Sequence, residues 1–227
     1  MKITYLGHAT LLIETGGKKI IVDPFISGNP FTKDLIIPEN LEVDYILLTH
    51  AHQDHVLDVE AIAEENPGAK LISNYEIVTY FAKFGIAGHP MNHGGSWNFD
   101  FGRVTMVNAW HSSSFADGTY GGNPAGFVIE SEGKSIYIAG DTGLTMDMKL
   151  IPLFTRLDLA ILPIGDNFTM GIDSAVVAAD YVECNKILGY HYDTFDLIKI
   201  DHQKAKDAFD KAGIELILLP IEGSIDV

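Results

Sequence analysis

The stretch Leu47-Leu48-Thr49-His50-Ala51-His52-Gln53-Asp54-His55 holds three histidines and one aspartate in close succession. It follows an apolar run that predicts a strand and precedes a helical pattern. Two imidazoles separated by one residue can point the same way from an extended turn. Imidazole nitrogen and carboxylate oxygen suit divalent metals such as zinc, nickel, cobalt, iron and manganese. The stretch therefore predicts one side of a metal site.

Further candidate ligands follow later predicted strands, each at the point where the strand ends. His111 comes after the run 103–109, Asp141 after 135–139 and His191 after 187–189. The ends of neighbouring strands converge on one rim of a sheet sandwich, so we expect these side chains to meet the first segment. Since one segment cannot close two metal sites, the three residues are the natural completion of the set.

The H-x-H-x-D-H pattern, with a single His, Asp and His at later strand ends, resembles the signature of the metallo-β-lactamase superfamily. The resemblance covers nearly the whole chain. Further motifs narrow the resemblance to one branch of the superfamily: Gly7-His8-Ala9, Asp23-Pro24-Phe25, Gly140-Asp141-Thr142 and the segments 167–171 and 191–195. These motifs are similar to a compact bacterial and archaeal branch of metal-dependent hydrolases, which is itself similar to the ascorbate-6-phosphate lactonases.

The resemblance implies an α/β fold of four layers, an αββα sandwich, with two divalent metal ions per chain at one sheet rim. Zinc is the favoured metal, with nickel, manganese and iron as alternatives. The first metal would be held by His50, His52 and His111. The second would be held by Asp54, His55 and His191, and Asp141 would bridge the two.

The same resemblance implies a hydrolase in which a metal-bridging hydroxide attacks a small-molecule ester, lactone or phosphoester. We assign catalytic roles to Asp54, which would ligate metal and orient the nucleophile, and to His8, as a neighbour of the ligands or a substrate contact. His8 could equally be structural. The single cysteine, Cys184, lies in the wrong segment to act as the thiolate ligand of some β-lactamases, so we do not expect antibiotic hydrolysis.

Apolar, β-branched runs predict strands at 3–6, 10–14, 19–22, 45–49, 103–109, 126–130, 135–139, 159–163, 187–189 and 215–219. Helical periodicity predicts helices at 58–65, 76–84, 148–155, 174–183 and 202–212. Asp173 and Asp201 are predicted N-caps, and Gly85 and Gly213 predicted C-terminal stops. Hairpins mixed with α/β units indicate two packed sheets with helices outside, in one domain spanning 1–227.

The formal net charge is −16, from 15 basic and 31 acidic residues. This charge repels a phosphate backbone, so we expect a small-molecule substrate and no nucleic-acid partner. We find neither an apolar signal segment nor an uninterrupted apolar stretch of membrane-spanning length, and expect a cytoplasmic protein with no membrane association. A homo-oligomer is compatible with the sequence.

Three other functions remain open at this point. A phosphodiesterase or nuclease could use the same ligands, although the acidic charge argues against it. A redox role, as in flavodiiron oxygen reductases, would need a flavin domain for which 227 residues leave no room. A non-catalytic metal-binding protein would load metal without turning over any ester, lactone or phosphodiester.

Overall fold

The computed structural model describes residues 1–227 and contains fourteen strands in two sheets. In chain order the strands are β1 Lys2–Tyr5, β2 Leu11–Thr15, β3 Lys18–Val22, β4 Tyr45–Leu47, β5 Lys70–Asn74, β6 Gly88–Met91, β7 Ser96–Phe99, β8 Gly102–Asn108, β9 Ala125–Ser131, β10 Lys134–Ile138, β11 Leu159–Pro163, β12 Lys186–Tyr190, β13 Glu215–Ile217 and β14 Ser224–Asp226. Alternation of buried and half-exposed residues in β2 is typical of a strand with one face in the core.

The two sheets are built alike, each with an antiparallel part and a parallel part. The strand order is β14-β1-β2-β3-β4-β5-β6 in one sheet and β13-β12-β11-β10-β9-β8-β7 in the other. Strands β3 to β6 are parallel, as are β10 to β13. Strand β2 is antiparallel to both β1 and β3, so β1 and β3 run in the same direction. Strand β9 is likewise antiparallel to both β8 and β10, so β8 and β10 run in the same direction. The C-terminal ends of all these strands therefore share one rim in each sheet.

The chain contains five α-helices, of which α2 to α5 pack on the outer faces of the sheets: α1 Gln53–Val56, α2 Val59–Glu65, α3 Tyr75–Ala82, α4 Ile172–Tyr181 and α5 His202–Lys211. A core of 23 buried residues lies between the sheets. A second apolar cluster joins one sheet to α2 and α3, and a third joins the other sheet to α4 and α5. This is the predicted αββα arrangement, and the fold prediction is confirmed. None of the helices combines the length and apolar character needed to cross a lipid bilayer.

Some local predictions were wrong. The helix expected at 148–155 is a 3-10 segment, Met146–Leu153, that contains Pro152, which lacks the N–H that an α-helix needs. Asp173 lies within the first turn of α4, whose N-cap is Gly171. Asp201 is the N-cap of α5, as predicted, since its carboxylate accepts hydrogen bonds from two backbone amides. Four strands, β5, β6, β7 and β14, were not predicted.

Candidate metal centre

Three histidines from separate segments form one cluster. His50 follows β4, His52 precedes α1 and His111 follows β8. One ring nitrogen of each lies within 4.8 Å of the other two. The ring centroids are 4.6 to 5.2 Å apart. Three convergent imidazoles are a common set of protein ligands for a divalent metal.

A second cluster lies beside the first. One donor atom each from His8, Asp54, His55 and His191 lies within 4.8 Å of the others. Helix α1 carries Asp54 and His55, and His191 follows β12. The His8 ring differs from the other two imidazoles of this second cluster because both of its nitrogens have hydrogen-bond partners. Its Nε2 atom is 3.1 Å from Asp54 Oδ2, and its Nδ1 atom is 2.9 Å from Thr194 Oγ1.

Asp141 lies between the two clusters. Its Oδ2 atom is 3.1 Å from His191 Nε2 and 3.4 Å from His55 Nε2 in the second cluster. The same atom is 3.6 Å from His111 Nε2 and 3.9 Å from His50 Nε2 in the first. A single carboxylate thus faces imidazole nitrogens of both clusters, and the structure brings all seven predicted ligands to one rim.

The side chains fit divalent metals. His55 Nε2, His191 Nδ1 and Nε2, and Asp141 Oδ1 are buried and have no hydrogen-bond partner. Buried polar atoms are rarely left unsatisfied, because each such atom costs about 1–3 kcal/mol. Coordination to a cation would satisfy His55 Nε2 and the Asp141 carboxylate, and the nitrogen and oxygen donors match borderline divalent ions.

Asp23, which follows β3, supports the second cluster through a hydrogen bond to one of its histidines. It is fully buried, and its Oδ2 atom lies 2.9 Å from His55 Nδ1. The backbone N–H and the hydroxyl of Thr49 also donate to this carboxylate. The Thr49 hydroxyl oxygen lies 2.9 Å from His50 Nδ1. Carboxylate partners of this kind fix the orientation of a ligating imidazole and leave its other nitrogen free for a metal.

The backbone is held in an uncommon conformation at three of these positions. His8, Asp23 and His191 have φ angles of 55°, 45° and 54°, in the left-handed region that non-glycine residues rarely adopt. The amide of His191 donates to the carbonyl of His8, and the amide of Asp23 donates to the carbonyl of Leu47. Such conformations cost about 1–3 kcal/mol each and cluster at functional sites.

A loop hairpin closes over the first cluster. The Ser113 hydroxyl donates to the Gly121 carbonyl, and its oxygen accepts from the amide of Ala51, between His50 and His52. Any side chain at Gly121 would lie 2.3 Å from the Ala51 β-carbon, so only glycine permits this approach. Ser113 and Gly121 therefore fix the two ends of this long loop beside the first cluster, while residues 116–120 between them are exposed.

Electrostatics hold the carboxylates ionised. Burial opposes the charge on Asp54, but the attraction of His55 and the hydrogen bond from His8 outweigh it and lower its pKa. Burial likewise opposes the charge on Asp141, and His191 and His55 outweigh it. Burial lowers the pKa of His8 to about 3. The site therefore offers anionic oxygen and mostly neutral imidazole, as metal binding requires.

The other histidines lie outside both clusters. The ring of His89 packs against Trp97 and Phe99, and His93 hydrogen-bonds the carbonyl of Pro124. His202 pairs with Asp193 at 2.6 Å. The sequence assigned none of them as ligands. It also assigned no role to Asp23, Thr49 or Thr194, although a buried-type strand ending in Asp23 is the same signal that identified Asp141.

Comparison with known proteins places this site in a family context. A family model described as the beta-lactamase superfamily domain matches residues 2–191. A protein of Flavobacterium johnsoniae, called a UPF0173 metal-dependent hydrolase, is 64% identical over 100% of both chains. The solved structure of Igni18, a metallo hydrolase of the archaeon Ignicoccus hospitalis, is 32% identical, with a TM-score of 0.87 over 99% of this chain and 97% of that one.

A more distant structure shares the fold alone. The isothiocyanate hydrolase from Delia radicum gut bacteria is 20% identical to this chain. Its TM-score is 0.80, and the match covers 100% of this chain and 99% of the other. The whole architecture is therefore common to proteins whose sequences have diverged widely.

Proposed function

Because the chain belongs to the beta-lactamase superfamily and, within it, to the UPF0173 metal-dependent hydrolases, we propose that it is a hydrolase with two divalent metal ions per chain. His50, His52 and His111 would hold the first ion, Asp54, His55 and His191 would hold the second, and Asp141 would be shared between the two sets. The proposed metal is zinc, and the proposed substrate is a small-molecule ester, lactone or phosphoester.

The observation that carries the proposal is the position of Asp141. Its Oδ2 atom is within 4 Å of imidazole nitrogens from both clusters, which is the placement expected of a bridging ligand. Divalent cations bound there would supply an acidified water as nucleophile at neutral pH, together with Lewis acidity toward the scissile bond.

Asp54 orients the reacting groups and does not act as a general base. A general base works best with a pKa near the working pH, whereas the pKa of Asp54 is lowered, so the carboxylate stays ionised. An ionised carboxylate only accepts hydrogen bonds. His8 must then carry its proton on Nε2, facing Asp54, and its Nδ1 atom accepts from the hydroxyl of Thr194. The His8 side chain is fully buried, which supports a positioning role for it.

Asp23→Asn is expected to weaken binding of the second metal by about 10- to 100-fold, the usual cost of losing a carboxylate behind a ligating histidine. The side-chain NH₂ group of the new asparagine would face groups that donate hydrogen bonds to the Asp23 carboxylate. These are the backbone amide and the hydroxyl of Thr49 and the Nδ1 atom of His55. Competition with a chromogenic chelator measures the affinity of each metal step.

Asp58→Asn is the matched control for this change. Asp58 is also buried and accepts from the amides of Ile26 and Ser27 and from the Ser27 hydroxyl, with no metal candidate among its partners. Both variants should lose stability, but only Asp23→Asn should lose metal affinity. Equal metal affinity in the two variants would contradict the role given to Asp23.

Metal content and turnover, measured on the same preparation, test the proposed function. We expect about two metal ions per chain by plasma mass spectrometry, with hydrolysis of at least one member of a panel of esters, lactones and bis-p-nitrophenyl phosphate. His89→Ala is the control, because His89 lies outside both clusters. A protein that loads two metals and hydrolyses nothing on the panel would favour a non-catalytic metal-binding role.

A further inference from the structure

Trp110 is a large apolar side chain that is held in place without being buried. It directly precedes His111, and the residue is 71% exposed. Its amide donates to the hydroxyl of Thr142 at 2.9 Å, and its carbonyl accepts from the amide of Gly143 at 3.1 Å. The indole lies against Gly143, since a β-carbon there would be 3.3 Å from the ring. This tryptophan is exposed, and its backbone is hydrogen-bonded to the turn that follows Asp141. Core packing does not explain such an arrangement.

Phe195 borders the second cluster. Its ring centroid is 5.4 Å from that of His8 and 6.2 Å from that of Phe25, and the residue is 38% exposed. His8 in turn contacts Asp54. An exposed aromatic side chain is therefore associated with each cluster: Trp110 directly precedes His111 of the first in the chain, and Phe195 lies against His8 of the second.

Phe168 is presented by a strained turn that is anchored to the same region. The two preceding residues, Asp166 and Asn167, have φ angles of 61° and 56°. The amide of Met170 donates to the carbonyl of Thr142 at 2.9 Å, which ties the turn to the residue after Asp141. Phe168 itself is 53% exposed. The fold thus accepts backbone strain in a turn that displays a phenyl ring to solvent.

No basic side chain takes part in the hydrogen bonds or ion pairs of the candidate ligands or of Asp23. Of the two arginines, Arg103 pairs with Glu130, and Arg156 lies near Asp158. Lys199, on the loop after His191, pairs with Asp196 at 2.6 Å. No basic side chain is therefore held against the candidate ligands in a position to bind a phosphate or carboxylate of a substrate, and the protein has a net charge of −16.

We infer that Trp110, Phe168 and Phe195 form an aromatic rim that determines specificity by binding an uncharged, apolar substituent next to the scissile bond. The inference rests on the proposed function and narrows its substrate class. An alkyl or aryl group laid on these rings would leave water along with the exposed indole and phenyl surfaces. A free phosphate or carboxylate laid on these rings would lose hydration without a basic side chain hydrogen-bonded beside the candidate ligands to compensate for it, in a protein of net charge −16.

The test is a series of straight-chain hydroxamic acids titrated calorimetrically into metal-loaded protein. The hydroxamate head binds metal, and the chain grows from acetohydroxamate through butyro- to hexanohydroxamate. We expect the dissociation constant to fall about two- to fourfold for each added methylene, the range for partial to full burial. Succinic monohydroxamate, which ends in a carboxylate, should bind more weakly than the butyro- compound.

Trp110→Ala should remove most of the chain-length dependence while leaving metal content and acetohydroxamate affinity within about twofold of the wild type. Trp97→Ala is the matched control, because Trp97 is 54% exposed and packs against His89, outside the metal centre. An affinity that is independent of chain length, or equally dependent on it in Trp110→Ala, would overturn the inference alone. Failure of acetohydroxamate to bind would instead overturn the proposed metal centre, and the rim with it.

Discussion

Asp141→Asn is expected to lower kcat/KM by about a thousandfold or more and to leave fewer than two metal ions bound per chain. The loss should exceed the 10- to 100-fold cost of removing a partner behind a ligand, because Asp141 faces both clusters directly. The neutral amide also removes the charge that lets His55 and His191 approach one carboxylate. Kinetics on whichever ester or lactone the wild type hydrolyses, with metal counted on the same sample, measures both effects.

Asp158→Asn provides the matched control for that substitution. Asp158 accepts a hydrogen bond from the amide of Ser135 and pairs with Lys134, at the opposite end of β10 from Asp141. We expect this variant to keep wild-type metal content and activity within about threefold, since surface substitutions of this kind cost little. Wild-type turnover by a folded Asp141→Asn protein would refute the bridging role.

Metal binding is expected to weaken about tenfold for each unit by which the pH falls below the pKa of His55, because one proton must leave His55 for each metal bound there. Burial opposes the charged form of His55, but Asp141, Asp23 and Asp54 outweigh it and raise its pKa well above the ordinary value. Below that pKa the metal-free ring is an imidazolium, so protons compete with metal and low pH releases it.

The number of protons released when metal binds tests this prediction directly. Calorimetric metal titrations in buffers of different ionisation enthalpy should show about one proton released at neutral pH. His50 should contribute none, because burial and the nearby His55 lower its pKa and keep it neutral. His89→Ala should leave the count unchanged. A metal affinity that does not vary with pH would contradict the charged state assigned to His55.

The sequence predicted ten of the strands through their apolar runs and missed four, and for β6, β7 and β14 there is a physical reason. Strand β6 consists of Gly88-His89-Pro90-Met91, and β7 contains polar residues, so neither has an apolar, β-branched run. Both are edge strands, which need only one partner. Strand β14 exists because it pairs with β1, through Lys2 and Asp226 at the two ends of the chain. Such distant pairing leaves no local pattern.

The sequence predicted the part of the candidate site that lies within one segment. The close spacing of His50, His52, Asp54 and His55 by itself indicates a metal-binding segment. His111, Asp141 and His191 were found because each follows an apolar run. Asp23 follows such a run as well, but its role depends on a contact with a residue 32 positions away, which the sequence does not display.

By itself, the sequence predicted a set of candidate donor residues and their meeting at one rim, because each of the later candidates follows an apolar run. Only the tertiary structure decided which candidate donors face one another in the two clusters and which support another side chain. His8 reaches Thr194, 186 positions away, and Asp141 faces both clusters, because the face-to-face packing of the two sheets brings these distant segments together at one rim of the sandwich. The exposure of Trp110 was settled in the same way, since burial is a property of packing between distant segments and not of neighbours in the chain.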